Sequence, residues 1–368
     1  MPAAANALLG FNWPQDTDKS AEQELWISAQ GRDKDSYSIS WAGNDRDKTE
    51  QVLSGFRGHG LSQNPTRPEQ VIMFARRPGT IGLSINVLGD EAPQPFHSPP
   101  GHHMHGHGCF SADGQFFYSA ESDYRTGEGK IIVRRSDNLQ QVSEFSSHGI
   151  GPHEIALMPD GKTLAIANGG LLTHPDQGRK VLNLDSMRST LSYVDIQNGE
   201  LITELTVEEE KASIRHLDVA SNGHVALAIQ VQRKGMQHGE LVPLAALHKP
   251  GKDQLESLHA PEALTLKLND YMGSVRLHAE KNLAAFTSPK GDLAMFWDTR
   301  DLSLQGYHAF HDVCGLTLTQ DNKHFVLSNS AGKLRFIDST SLKENKSKRL
   351  YFPETSWDNH MLTLSLPS

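Results

Sequence analysis

Cysteine is nearly absent from this chain: Cys109 and Cys314 are the two in 368 residues. That excludes a disulfide scaffold and leaves the redox compartment undecided. No stretch approaches the ~20 apolar residues that a bilayer-crossing helix needs. Basic charge is not in excess, with Lys+Arg 35 against Asp+Glu 44 and a formal net charge of −9. This balance argues against nucleic acid, whose phosphates call for a basic face. Also missing are Gly-x-Gly-x-x-Gly after a strand, Gly-x-x-x-x-Gly-Lys-Ser/Thr, Gly-x-Ser-x-Gly, Cys-x-x-Cys-His and His-Glu-x-x-His. Their absence removes the dinucleotide and P-loop cradles, the hydrolase elbow, covalent haem attachment and the zincin helix. No long amphipathic helix is evident either.

What the chain does contain is short β-runs divided by turn residues, in keeping with Gly 31 and Pro 18. A histidine recurs through these runs, in Arg57-Gly58-His59-Gly60, Gly106-His107-Gly108, Pro152-His153-Glu154, Arg215-His216-Leu217 and Asn359-His360-Met361. Asp312-Val313-Cys314-Gly315 is a further copy with Cys314 in the histidine's place. Most copies are followed by a turn pair, namely Asp113-Gly114, Asp160-Gly161, Asn222-Gly223 or Asp321-Asn322. Such pairs close hairpins, and a hairpin signal that returns at long intervals marks a repeat fold.

Six units open near residues 57, 105, 151, 214, 273 and 312, and an incomplete one precedes them. The incomplete unit has no histidine strand, while the C-terminal Asp358-Asn359-His360-Met361-Leu362-Thr363-Leu364 is a spare one. Joining the two closes a ring and leaves no free sheet edge. The expectation is an all-β chain, a seven-bladed β-propeller over 23–368, with blades of ~45 residues and insertions in the fourth and fifth. An eight-stranded barrel or a sandwich would not explain the matched tail. Residues 1–22 read as a flexible tail or a signal-peptide remnant: Pro2-Ala3-Ala4-Ala5-Asn6-Ala7 ends in Ala-x-Ala, without the charged and apolar regions that normally precede a cleavage site. A monomer is expected.

In a closed ring the repeat copies meet around one axis, so the histidines should line the channel near one mouth. Candidate metal ligands are His59, His107, His153, His216 and His360, with Cys314 and Glu154 as additions. Neutral imidazole is the commonest metal-binding side chain, and thiolate with imidazole suits copper, zinc or iron. Histidines that only hydrogen-bond the next blade would show the same recurrence. Strand alternation puts Cys109 beside His107 and Asp218 beside His216. Gly101-His102-His103-Met104-His105-Gly106-His107 is the densest local cluster, a metal tract or a solvated loop. The insertion carrying His174, Asp176, Asn183 and Asp185 could cover a channel mouth, with His105, Glu121 and Asp123 towards the same side. Arg57, Arg215 and Arg276 read as an anion site or as salt bridges between blades.

Several long motifs resemble the bacterial domain-of-unknown-function family 1513. They are Gly106-His107-Gly108-Cys109-Phe110-Ser111, the run from Ile150-Gly151-Pro152-His153-Glu154 to Pro159-Asp160-Gly161, and Ala167-Asn168-Gly169-Gly170. Thr173-His174-Pro175-Asp176, Leu182-Asn183-Leu184-Asp185, Ile214-Arg215-His216-Leu217 and Asp312-Val313-Cys314-Gly315 fit as well. The resemblance spans nearly the whole chain. It implies a seven-bladed propeller exported to the periplasm, usually by a twin-arginine signal that this chain does not show. It further implies genes beside imelysin-type iron-uptake proteins and haem-containing oxidoreductases.

The expected function is therefore periplasmic handling of iron or copper by a histidine-lined channel, linked to iron uptake, with no nucleotide cofactor. A non-catalytic scaffold that docks a periplasmic iron-uptake or haem protein is an alternative. A metal-dependent redox or lactonase-like enzyme is another, because propellers host unrelated functions.

Overall fold

The turn pairs reverse the chain by the left-handed conformation that Gly and Asn tolerate: φ is 66° at Gly114, 67° at Gly161, 83° at Gly223 and 56° at Asn322. Each ends a hairpin between the first and second strands of a blade. A computed structural model describes residues 24–31, 34–43, 49–89 and 91–366. Within them the strands form seven four-stranded antiparallel sheets, the seven-bladed propeller that the repeat predicts.

Numbered from the N-terminus, the second to seventh blades begin with inner strands Gly58–Gln63, His102–Phe110, Pro152–Leu157, Ala212–Val219, Ser274–His278 and Val313–Leu318. The inner strand of the first blade comes instead from the C-terminus. Leu362–Ser365 pairs antiparallel with Glu24–Gln30, placing Trp26 opposite Thr363. Neighbouring inner strands adjoin all the way round, including Leu362–Ser365 against Gly58–Gln63, so the ring closes without a free inner edge.

The middle strands are buried on both faces, as in Leu293–Asp298 and Leu283–Ser288, because each blade is sandwiched between two others. Apolar clusters fill the spaces between blades, the largest running from Ala165 through Leu227 to Trp297. Outer strands such as Gln141–Ser146 face solvent. One α-helix occurs among the described residues, the six-residue Glu262–Lys267. None is long and apolar enough to cross a membrane.

The insertions fall in the fourth and fifth blades as expected, between Thr163–Asn168 and Thr190–Asp195 and between Val225–Val231 and Ala245–His248. The run Leu241-Val242-Pro243-Leu244 reads as a strand in the sequence, but the strand begins at Ala245. Pro243 has no N–H to give a ladder. The expectations for residues 1–22 lie outside the described residues.

Candidate metal centre

A break in strand pairing aims the recurrent side chains into the channel. Inner strands of five blades shift register within Gly58/Leu61, Met104/Gly108, Pro152/Glu154, Ile214/His216 and Val313/Leu316. These intervals contain or adjoin His59, His107, His153, His216 and Cys314. A bulge inserts unpaired residues and turns side chains away from strict alternation. The inner strand Ser274–His278, whose motif lacks the recurrent residue, pairs in unbroken register. His360 lies just ahead of its strand, Leu362–Ser365.

Glycines permit the approach. A Cβ at Gly60 would lie 2.5 Å from His107 Nδ1, and one at Gly106, whose φ is 110°, would lie 2.6 Å from His59 Cδ2.

Four imidazoles converge. Ligand atoms of His59, His107, His216 and His360 all lie within 4.8 Å of one another. The His216 and His360 rings are 4.4 Å apart, and His59 stands 4.6 Å from His360 and 4.8 Å from His107. Their surroundings orient the rings. His107 Nδ1 donates to Glu154 Oε1 at 3.1 Å, and His216 Nδ1 donates to Glu154 Oε2 at 3.0 Å. Ser274 Oγ gives its proton to the Asn359 carbonyl at 2.7 Å, so it accepts from His360 Nδ1 at 3.1 Å. In neutral imidazole a protonated Nδ1 leaves the lone pair on Nε2. His107 Nε2, His360 Nε2 and His59 Nδ1 are buried without a hydrogen-bond partner.

Burial, followed by the neighbouring imidazoles, holds His59 and His360 well below the ordinary histidine pKa. Burial takes His216 down to about 4 against the opposing pull of Glu154. Burial pushes the Glu154 carboxyl up, but the two imidazoles outweigh it and keep it well below the carboxylate range. The result is three imidazoles, of His59, His216 and His360, held neutral beside one fixed carboxylate. Ring donation to a carboxylate is the arrangement that orients metal-binding histidines. The four could hold a metal ion, since bonds of about 2 Å set ligand atoms roughly 3.4–4.2 Å apart, close to the spacing of up to 4.8 Å found here.

A cavity of about 280 Å³ leads to the cluster, lined by residues of the inner strands including His107, Cys109, Glu154, Asp218 and His360. His107 and Cys109 thus face the same space.

The remaining candidates lie elsewhere. His153 stands against the group, 4.8 Å from His216 ring to ring, but its Nδ1 meets Arg215 Nη2 at 3.0 Å. Glu154 supports two of the rings rather than joining them. Cys314 is buried with Sγ 3.7 Å from the Ser328 and Trp357 carbonyls, and burial pushes its thiol up. His105 Nε2 meets Ser122 Oγ at 2.8 Å. Glu121 is buried and paired with Arg134 at 3.0 Å.

In the insertion, His174 Nδ1 accepts from the Asp176 backbone at 3.2 Å, and Asp176 is exposed. Asn183 ties the loop together, accepting from Leu172 N and donating to Gly170 O, both at 2.8 Å. Arg57 and Arg276 are salt bridges between blades, to Asp358 at 3.1 Å and Asp218 at 2.9 Å. Ser274 escapes sequence reasoning because its blade lacks the motif.

The family model described as "Protein of unknown function (DUF1513)" matches residues 54–364, a span that includes all four converging imidazoles. The chain belongs to the DUF1513 family. A search of curated proteins finds no match. Among solved structures, Kuenenia stuttgartiensis hydrazine synthase is similar to this DUF1513 protein over 91% of this chain and 100% of that one, with a TM-score of 0.65. At 13% identity the likeness concerns the fold alone.

Proposed function

We propose that this propeller is a periplasmic metal-handling protein that holds iron or copper on His59, His107, His216 and His360. The observation that carries the reading is the meeting of four imidazoles from four blades, with three Nδ1 atoms tied back to Glu154 and Ser274. A purely structural histidine would spend both ring nitrogens on neighbours. Here two Nε2 atoms and one Nδ1 remain buried and unpartnered, which costs free energy unless something binds them. All-nitrogen donors suit iron, copper, nickel and zinc. The periplasmic setting and the link to iron uptake rest on the motif resemblance. The cavity beside the cluster supports entry of an ion or a small ligand along the channel.

The test is elemental analysis of protein purified without a polyhistidine tag and loaded with iron, copper or zinc. Near-stoichiometric iron or copper is expected in the parent protein. A His107→Ala/His360→Ala variant that keeps its circular dichroism and cooperative melt should lose the metal. Absence of metal after loading with all three ions would sink the proposal.

A further inference from the structure

Near the cluster, two buried guanidinium groups among the described residues have no counter-charge. Arg57, Arg134 and Arg276 each face a carboxylate, of Asp358, Glu121 and Asp218 respectively. Arg77 and Arg215 face none among the described residues, although both are more than nine-tenths buried, at 8% and 4% exposure. Arg215 Nε and Nη1 and Arg77 Nη1 have no hydrogen-bond partner, and neither have Thr173 Oγ1 and His105 Nδ1. Among the described residues, the one side-chain hydrogen-bond partner of Arg215 is His153.

The groups lie in each other's field. Arg215 stands against His153, and Met104 N donates to Gly79 O at 2.7 Å, which sets the Arg77 segment against the strand that carries His105. Burial brings Arg77 down to about 10, assisted by Arg179 and Arg76. His105 feels both Arg77 and Arg215. Buried cations without counter-charge are strongly disfavoured, so this constellation is balanced only when an anion enters. Guanidinium forks match carboxylate and phosphate oxygens in pairs.

We propose that Arg77 and Arg215 bind a small multiply charged oxyanion, of the carboxylate or phosphate type, beside the histidine cluster. The proposal does not depend on metal at the imidazoles. Arg215 would link the two sites, since its Nη2 holds His153 while Nε and Nη1 remain for the ligand.

The experiment is calorimetric titration of metal-free protein in low-chloride buffer. Metal is stripped on a chelating resin, because a soluble chelator is itself a polyanion. Oxalate and citrate form one arm, phosphate and sulfate the other, and the arm that binds with a Kd below about 1 mM names the chemistry. Arg77→Gln should weaken binding at least tenfold. It should also raise the melting temperature of the anion-free protein, because it removes a buried charge that repels its neighbours. A residue with a merely structural role would lower it. Arg77→Lys, which keeps charge but not the fork, should bind severalfold more weakly and retain the fold. His107→Ala/His360→Ala should bind the anion as the parent does, which separates failure of this site from failure of the metal site. No binding in either arm, or Arg77→Gln binding as tightly as the parent, would overturn the proposal.

Discussion

At the scale of single residues, Glu154 matters more as an orienter than as a ligand. Its two oxygens receive His107, His216 and the Leu217 backbone N–H. Glutamine keeps the shape but offers one acceptor oxygen and loses the charge. Glu154→Gln should weaken metal binding about 10–100-fold while leaving the fold intact, as read by competition with a chelator of known affinity. Protonation supplies a second prediction. His59, His216 and His360 have folded pKa values below the unfolded value of 6.5. Below that pH the unfolded chain takes up protons that the folded cluster refuses. They carry no protonation cost above about pH 6.5 and destabilise the fold increasingly as pH falls below it, for His216 down to about 4. His216 alone costs about 3 kcal/mol across that window. Urea titrations of metal-free protein at pH 7, 5.5 and 4.5 should show stability decreasing in that order; a flat profile would contradict the burial argument.

At the scale of elements, the bulges make a site out of β-strands. Regular alternation would send successive side chains to opposite faces. The shifted register at four inner strands presents their histidines to the axis, while the regular Ser274–His278 strand contributes only the Ser274 hydroxyl. The close packing of Gly106 against His59 is part of this device. Gly106→Ala introduces a Cβ 2.6 Å from His59 Cδ2 at a φ of 110°. About 1–3 kcal/mol of backbone strain is expected, with a lower melting temperature and reduced metal content. Gly89→Ala is a suitable control: it also has positive φ, at 80°, but nothing lies within 4 Å of its would-be Cβ, so it should melt lower while keeping its metal.

At the scale of the whole molecule, closure and site share one segment. The tail supplies the inner strand Leu362–Ser365 and also His360, while Asp358 N donates to Ala29 O at 2.9 Å. Removing residues 358–368 would expose the edge of Glu24–Gln30 and leave the first blade unfinished. Exposed edges invite pairing with other chains. The truncated protein should therefore aggregate or melt without cooperativity, seen by size-exclusion chromatography and calorimetry, and should bind no metal.

The blade repeat and its closure were legible in the sequence because turn chemistry and strand runs are local, and the spare C-terminal strand matched the unit that lacked one. The recurrence of His59, His107, His216 and His360 was legible for the same reason. Which of the recurrent residues meet was decided by tertiary structure alone. His153 and Cys314 stand at bulges as His59, His107 and His216 do, yet one ring turns to Arg215 and the thiol turns to backbone carbonyls. Ser274 and Arg77 carry no motif and acquire their places only when distant blades come together. Pairing and unpairing of polar groups across blades depend on distances of a few ångströms between residues far apart in the chain. Local sequence specifies which strands form; the closed ring specifies which side chains face one another.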